Sequence, residues 1–216
     1  KALELCPVYL SYIHYMQNED GTFRNFLGFN RRFLDECGSE DAFGRAIWAL
    51  GYLLNNPPND SYYQFGKFIF DKAVPTFGKL RSIRSIANVM IGISYYLKNN
   101  MWDDVMIERL RKLTAVLVEE YRKNSDQNWK WYERLLAYDN AILPLAMLHA
   151  AEILKDDKTR HIAFESMQFL SGLTLKEGYL SIIGNEQWFH KEGERSKFAQ
   201  QPVDAMCMVL MFHQAY

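Results

Sequence analysis

Apolar residues recur three and four positions apart along most of this chain. Residues 2–17 carry Leu3, Val8, Leu10, Ile13 and Met16 at that spacing, the mark of a helix that turns one face to a core. Residues 40–55 repeat the stripe through Ala42, Ala46, Leu50 and Leu53 and then meet Asn55-Asn56-Pro57-Pro58, where proline ends a helix by removing a donor and crowding the preceding turn. Segments 60–74, 82–98, 102–123, 139–155, 158–172 and 202–216 behave in the same way. Ser39, Asp60, Asp139 and Asp156 stand where N-caps or first-turn acids belong. Strand-like stretches are confined to short pieces such as 26–29 and 179–183. The pattern predicts an all-α chain.

The connections alternate in kind. Tight turns at 56–59, 99–102 and 155–158 are interleaved with elaborate loops at 18–39, 124–138 and 173–201. Each elaborate loop leads into a helix that opens with polar and small residues: Gly44-Arg45-Ala46, Tyr138-Asp139-Asn140-Ala141 and Gln201-Pro202-Val203-Asp204-Ala205. Ser85-Ile86-Ala87-Asn88 is a weaker version behind a short loop. These openings recur about 45–65 residues apart, the length of a helical hairpin with its loop. Antiparallel hairpins set side by side place every second connection at the same end. The expectation is therefore a single α/α arrangement over residues 1–216, with about four hairpins and the elaborate loops on one rim.

Composition narrows the classes. Hydrophobic residues make up 49% and charged residues 24%, which excludes a disordered chain. The formal net charge is -1 with interleaved signs, so no broad basic face for nucleic acid or a membrane is expected. No apolar run approaches the ~18 residues that span a bilayer. Cys6, Cys37 and Cys207 lack zinc or redox spacing and read as buried free thiols. The chain begins at Lys1 and ends at Tyr216 within an apolar pattern, the look of a piece incomplete at one or both ends. A cytoplasmic setting is favoured, with a removed signal peptide left open.

Aromatic residues, at 15%, gather in polar loops, which brings ligand chemistry into view. Trp129-x-Trp131-Tyr132-Glu133 offers aromatic faces for the C–H face of a pyranose and a carboxylate for its hydroxyls. Asp20 and Asn25 in the first loop have the same hydroxyl-binding character, although Asp20-Gly21 also reads as a plain turn. Glu40 and Asp41 open a helix with Arg45 one turn on. Helix-dipole and i,i+4 pairing explain them structurally, while an acid pair at a barrel mouth also suits general acid/base work. Asp139 is explained by an N-cap and the adjacent Asn140 is not. The last loop supplies Trp188, Gln200, Gln201 and Asp204, a mixed donor and acceptor inventory. Serine-hydrolase elbow, P-loop, dinucleotide and HExxH signatures are absent from the sequence, and no metal or cofactor is called for.

Three stretches carry a family resemblance. Gly38-Ser39-Glu40-Asp41-x-x-Gly44-Arg45-Ala46-x-Trp48-Ala49-Leu50-Gly51 is long and specific; Tyr138-Asp139-Asn140-Ala141-x-Leu143-Pro144 and Gln200-Gln201-Pro202-Val203-Asp204-Ala205 are shorter. Together they resemble motifs of the six-hairpin glycosidase-like (α/α)6 toroids, and more narrowly the bacterial toroid domains assigned as glycosidases or attached to glycosyltransferases. The resemblance implies about four of six hairpins, with the remainder of the toroid or a glycosyltransferase domain as partner. It implies a carbohydrate at the inner-helix N-terminal rim. The catalytic candidates are Asp41, Glu133, Asp139 and Asp204, and the substrate-binding candidates are Asp20, Asn25, Glu40, Arg45, Trp129, Trp131, Asn140, Trp188, Gln200 and Gln201. Two functions follow as alternatives: a glycoside hydrolase, or a non-catalytic sugar-binding or scaffolding domain.

Overall fold

The computed structural model describes residues 2–176 and 178–216. Among these residues the chain is built from α1 (Ala2–Met16), α2 (Glu40–Asn55), α3 (Asp60–Ala73), α4 (Ile83–Lys98), α5 (Asp104–Asn124), α6 (Ile142–Leu154), α7 (Asp157–Thr174) and α8 (Pro202–Ala215). A 3-10 turn, Val74–Lys79, follows α3. The class is mostly α, as the apolar periodicity predicts. The chain divides into two compact units, residues 1–110 and 111–216, with the boundary inside α5.

In the first unit α2 and α4 form the closest pairing, and glycine explains why. A Cβ at Gly51 would lie 2.0 Å from the Gly92 carbonyl oxygen, and one at Gly92 would lie 2.4 Å from that of Ile47. Only hydrogen at both positions lets two helix backbones come so close. Ile47, Leu50 and Leu54 of α2 and Ile86, Val89 and Ile93 of α4 are all buried. Ser39 caps α2 by accepting from the Ala42 N–H, and Asn59 caps α3 by accepting from that of Tyr62. Asp60 is thus a first-turn acid. A ring cluster of Phe43, Phe70, Phe77 and Tyr96 closes the core.

The second unit centres on α6, which is buried over almost its whole length and has no polar face. Such a helix needs cover on every side; α7 and α8 both pack on it. Lys155 ends α6 in the left-handed conformation and Asp156 starts α7 by capping the Lys158 N–H. Two short antiparallel ribbons brace the long loops: β1 (Leu135–Leu136) with β4 (Phe189–His190), and β2 (Leu175–Lys176) with β3 (Tyr179–Leu180).

Three local expectations need correction. Of the three thiols expected to be buried, Cys207 is, whereas Cys6 is half-buried and Cys37 is exposed. Asp139 is not an N-cap. The cap position of α6 is Ala141, which makes no side-chain bond, and Asp139 lies upstream at φ 49. Residues 26–29 form no strand, only a single antiparallel bridge from Leu27 to Phe33, because the chain turns back at once.

Candidate functional site

Polar residues stand at the starts of α2, α6 and α8. In the first unit these residues hold the 18–39 loop onto the helix starts. Asp20 accepts from the backbone N–H (3.0 Å) and hydroxyl (2.7 Å) of Thr22. That hydroxyl bond, more than any other cause, holds the Asp20 carboxyl below its usual range. The following Gly21 sits at φ 86 against the Lys72 carbonyl. Asn25 is a splint: its Oδ1 accepts from the Ser39 N–H and its Nδ2 donates to the Ser39 hydroxyl, both at 3.2 Å. Glu40 crosses to the start of α4, accepting from the Arg81 and Ser82 backbone N–H groups at 2.9 and 2.7 Å. Asp41 accepts from Arg45 Nε at 2.9 Å, the i,i+4 pair that its spacing allows. Arg45 and Asn25 also line an apolar groove of about 510 Å³ with Tyr12, Met16, Phe23 and Ala46.

In the second unit the two shorter motifs converge. The Asp204 carboxylate, buried in the first turn of α8, accepts from the Asn140 backbone N–H at 3.1 Å and from Asn140 Nδ2 at 3.3 Å. Asn140 Nδ2 also donates to the Ala137 carbonyl at 3.0 Å. Asp139, Asn140 and Asp204 are all buried, so this arrangement joins the openings of α6 and α8. A buried carboxylate is tolerated only with such donors.

The aromatic run at 129–133 is packed inward. Trp131 and Tyr132 are fully buried, and Trp129 retains only 6% of its exposure. Trp129 stacks edge-on against Phe169 and Phe189 and donates its indole N–H to the Glu133 carbonyl at 2.7 Å. Trp131 meets Tyr132 and Phe169, and the Tyr132 hydroxyl bonds that of Ser166. The expected open stacking platform is therefore absent at these indoles, because α7 supplies a hydrophobic wall for them. Lys130 reaches Glu165 of α7 at 3.0 Å. The Tyr121 hydroxyl, first among the causes, holds the Glu165 carboxyl below its usual range. Glu133 is half-buried beside this cluster.

The last loop forms one of the open concavities of this unit; a second, of about 810 Å³, lies between the end of α6 and the start of α7 and is lined by Glu152, Lys155, Asp157, Arg160 and Gln214. The cavity of the last loop, about 510 Å³, is lined by Asn185, Glu186, Gln187, Trp188, His190, Gly193 and Glu194. Trp188 is half-buried in a left-handed conformation at φ 54, and its indole N–H donates to Asn185 Oδ1 at 2.5 Å. Neighbouring cations are turned away from the lining. Lys191 holds Asp126 at 2.6 Å and the Asn124 carbonyl at 3.0 Å. Arg195 donates to the carbonyls of Leu173, Ser181 and Ile182. Gln200 is exposed and bonds the Lys197 carbonyl, while Gln201 precedes α8 without a side-chain cap bond.

Of the sequence candidates, Trp188 alone lines this cavity. Glu194 and Gly193 were missed because Lys191-Glu192-Gly193-Glu194-Arg195 reads as an ordinary solvated charge run. The anchoring role of Arg195 gave no sequence signal either. Among the described residues no group of three or more His, Cys, Asp or Glu side chains is arranged to hold a metal, and no helix is long and apolar enough to cross a membrane. Compared with known proteins, the chain matches no family model and no curated protein.

Proposed function

We propose that this chain binds a saccharide, with the cavity around Trp188 as the contact site. The observation that carries the proposal is the company Trp188 keeps in one open concavity: two amides, Asn185 and Gln187, and two carboxylates, Glu186 and Glu194. An indole ring offers a flat apolar surface to the C–H face of a pyranose. Amides and carboxylates together supply donors and acceptors for hydroxyls, and the hydrogen bond to Asn185 fixes the indole before a ligand arrives. The motif resemblance to six-hairpin carbohydrate-active toroids supports the same class of ligand. Binding is favoured over cleavage because the acids first considered for catalysis do not line the cavity. Asp41 is tied to Arg45, Asp204 to Asn140, and Asp139 is buried.

Titration of a panel of neutral and charged oligosaccharides, followed by the Trp fluorescence of the full chain, tests this directly. The Trp188→Ala variant is expected to lose about ten- to a hundredfold in affinity, the size of a central aromatic contact. Saccharide titrations that leave the fluorescence unchanged, or equal affinity in the variant, would refute the proposal.

A second reading, glycoside hydrolysis, has one specific observation in its favour: Glu186 and Glu194 share the cavity, and such enzymes work with paired carboxylates. Release of reducing ends that disappears in both Glu186→Gln and Glu194→Gln, with binding retained, would establish it. Binding without turnover in the unaltered chain leaves a lectin-like module.

A further inference from the structure

The loop between α1 and α2 ends in a tip that neither the core nor the Trp188 cavity uses. Residues 26–34 fold back on themselves. The Gly28 N–H donates to the Arg32 carbonyl at 2.8 Å, the Arg31 N–H to the Gly28 carbonyl at 2.8 Å, and the Leu34 N–H to the Phe26 carbonyl at 3.1 Å. The Arg32 N–H is taken by Asn30 Oδ1 at 3.1 Å. On this closed frame the side chains point outward. Phe29 has 109% of its reference exposure, Leu34 69% and Phe26 61%, and Arg31 and Arg32 are exposed between them.

Within residues 26–34 the charged side chains are two cations, Arg31 and Arg32, and the acids follow directly after them. Arg24, Arg31 and Arg32 stand against Asp35 and Glu36. Both Asp35 oxygens are turned inward to the Asn25 and Phe26 N–H groups, at 2.7 and 3.0 Å, and Glu36 is exposed beside it. Arg24 lies 4.1 Å from the centroid of the Phe33 ring. A whole-chain net charge of -1 averages this patch away; it excludes a broad basic face, not one of a few residues.

We propose that this tip is a peripheral anchor for the surface of an anionic lipid bilayer. Phe29 and Leu34 enter the boundary between headgroups and acyl chains, and Arg31 and Arg32 pair with lipid phosphates. Two features favour a bilayer over a pocket in another protein. The backbone N–H groups of Gly28, Arg31, Arg32 and Leu34 already have acceptors within the tip, which lowers the cost of leaving water at these four positions. The apolar side chains lead from the end of a turn with cations directly beside them, an arrangement that suits a soft interface of uniform negative charge. An anchor of this size gives weak, reversible attachment that salt suppresses.

Co-sedimentation of the full chain with vesicles tests the proposal, using phosphatidylcholine alone and phosphatidylcholine mixed with phosphatidylserine. The expected result is partitioning onto the serine-containing vesicles, weakened by salt and by about tenfold in Phe29→Ser and in the double variant Arg31→Gln/Arg32→Gln. Circular dichroism of both variants is expected to match the parent, since the altered side chains are exposed. Failure to sediment with either vesicle, equal binding to both, or unchanged binding in the variants would overturn it. A tip that serves another protein or a glycan instead would give the first of these outcomes.

Discussion

Replacing Trp131 with alanine is expected to destabilise the unit formed by residues 111–216 by about 3–5 kcal/mol, the usual cost of deleting a buried indole. Its side chain is fully buried against Tyr132 and Phe169, so little of the space can be refilled without moving α7. Urea denaturation followed by circular dichroism would read the loss as a lower midpoint. Trp131→Phe is expected to cost much less. The Trp131 indole N–H has no hydrogen-bond partner among the described residues, and an orphaned buried donor costs about 1–3 kcal/mol, which phenylalanine removes. If Trp131→Ala kept the parent midpoint but abolished saccharide binding, the indole would belong to a ligand site after all.

Gly92→Ala is the second large effect. Its new methyl would have to sit 2.4 Å from the Ile47 carbonyl oxygen, and that oxygen belongs to a helix backbone that cannot swing aside. Relief comes only by separating α2 from α4, with an overpacking cost of about 3 kcal/mol or somewhat more. Gly51→Ala meets the Gly92 carbonyl from the other side at 2.0 Å and is expected to behave alike. Gly172 in α7 is the control, because a Cβ there has no neighbour within 4 Å. Gly172→Ala is expected to stabilise by about 0.4–1 kcal/mol. Thermal melts of the three variants would separate the crossing from any general intolerance of alanine; equal shifts in all three would refute the close-crossing explanation.

Apolar spacing made the helices legible. The Asn-Asn-Pro-Pro stop after α2 and the Ser39 cap come from contacts within a few residues, which a linear pattern records. The short openings also marked residues that matter, since Asn140 and Asp204 meet in the structure. Their pairing was not legible: a carboxylate in a first helical turn looks the same whether it faces solvent or a distant amide. Trp129 and Trp131 show the same limit. A polar loop made them look exposed, and only Phe169, 40 and 38 positions away along the chain, decides that they are buried. The Trp188 cavity depends on where Lys191 and Arg195 turn, and side-chain direction within a charged run leaves no periodic trace.

The bond from Asn140 to Asp204 spans 64 residues, and that separation has a kinetic consequence. Closing so long a segment costs conformational entropy before any contact repays it, whereas α6 and α7 adjoin in sequence and can dock early. Attachment of α8 then falls late on the folding route. Weakening the bond with Asp204→Asn should therefore accelerate unfolding and leave the folding rate nearly unchanged, a φ-value close to zero in a chevron analysis. A φ-value near one would mean instead that α8 helps to nucleate the second unit.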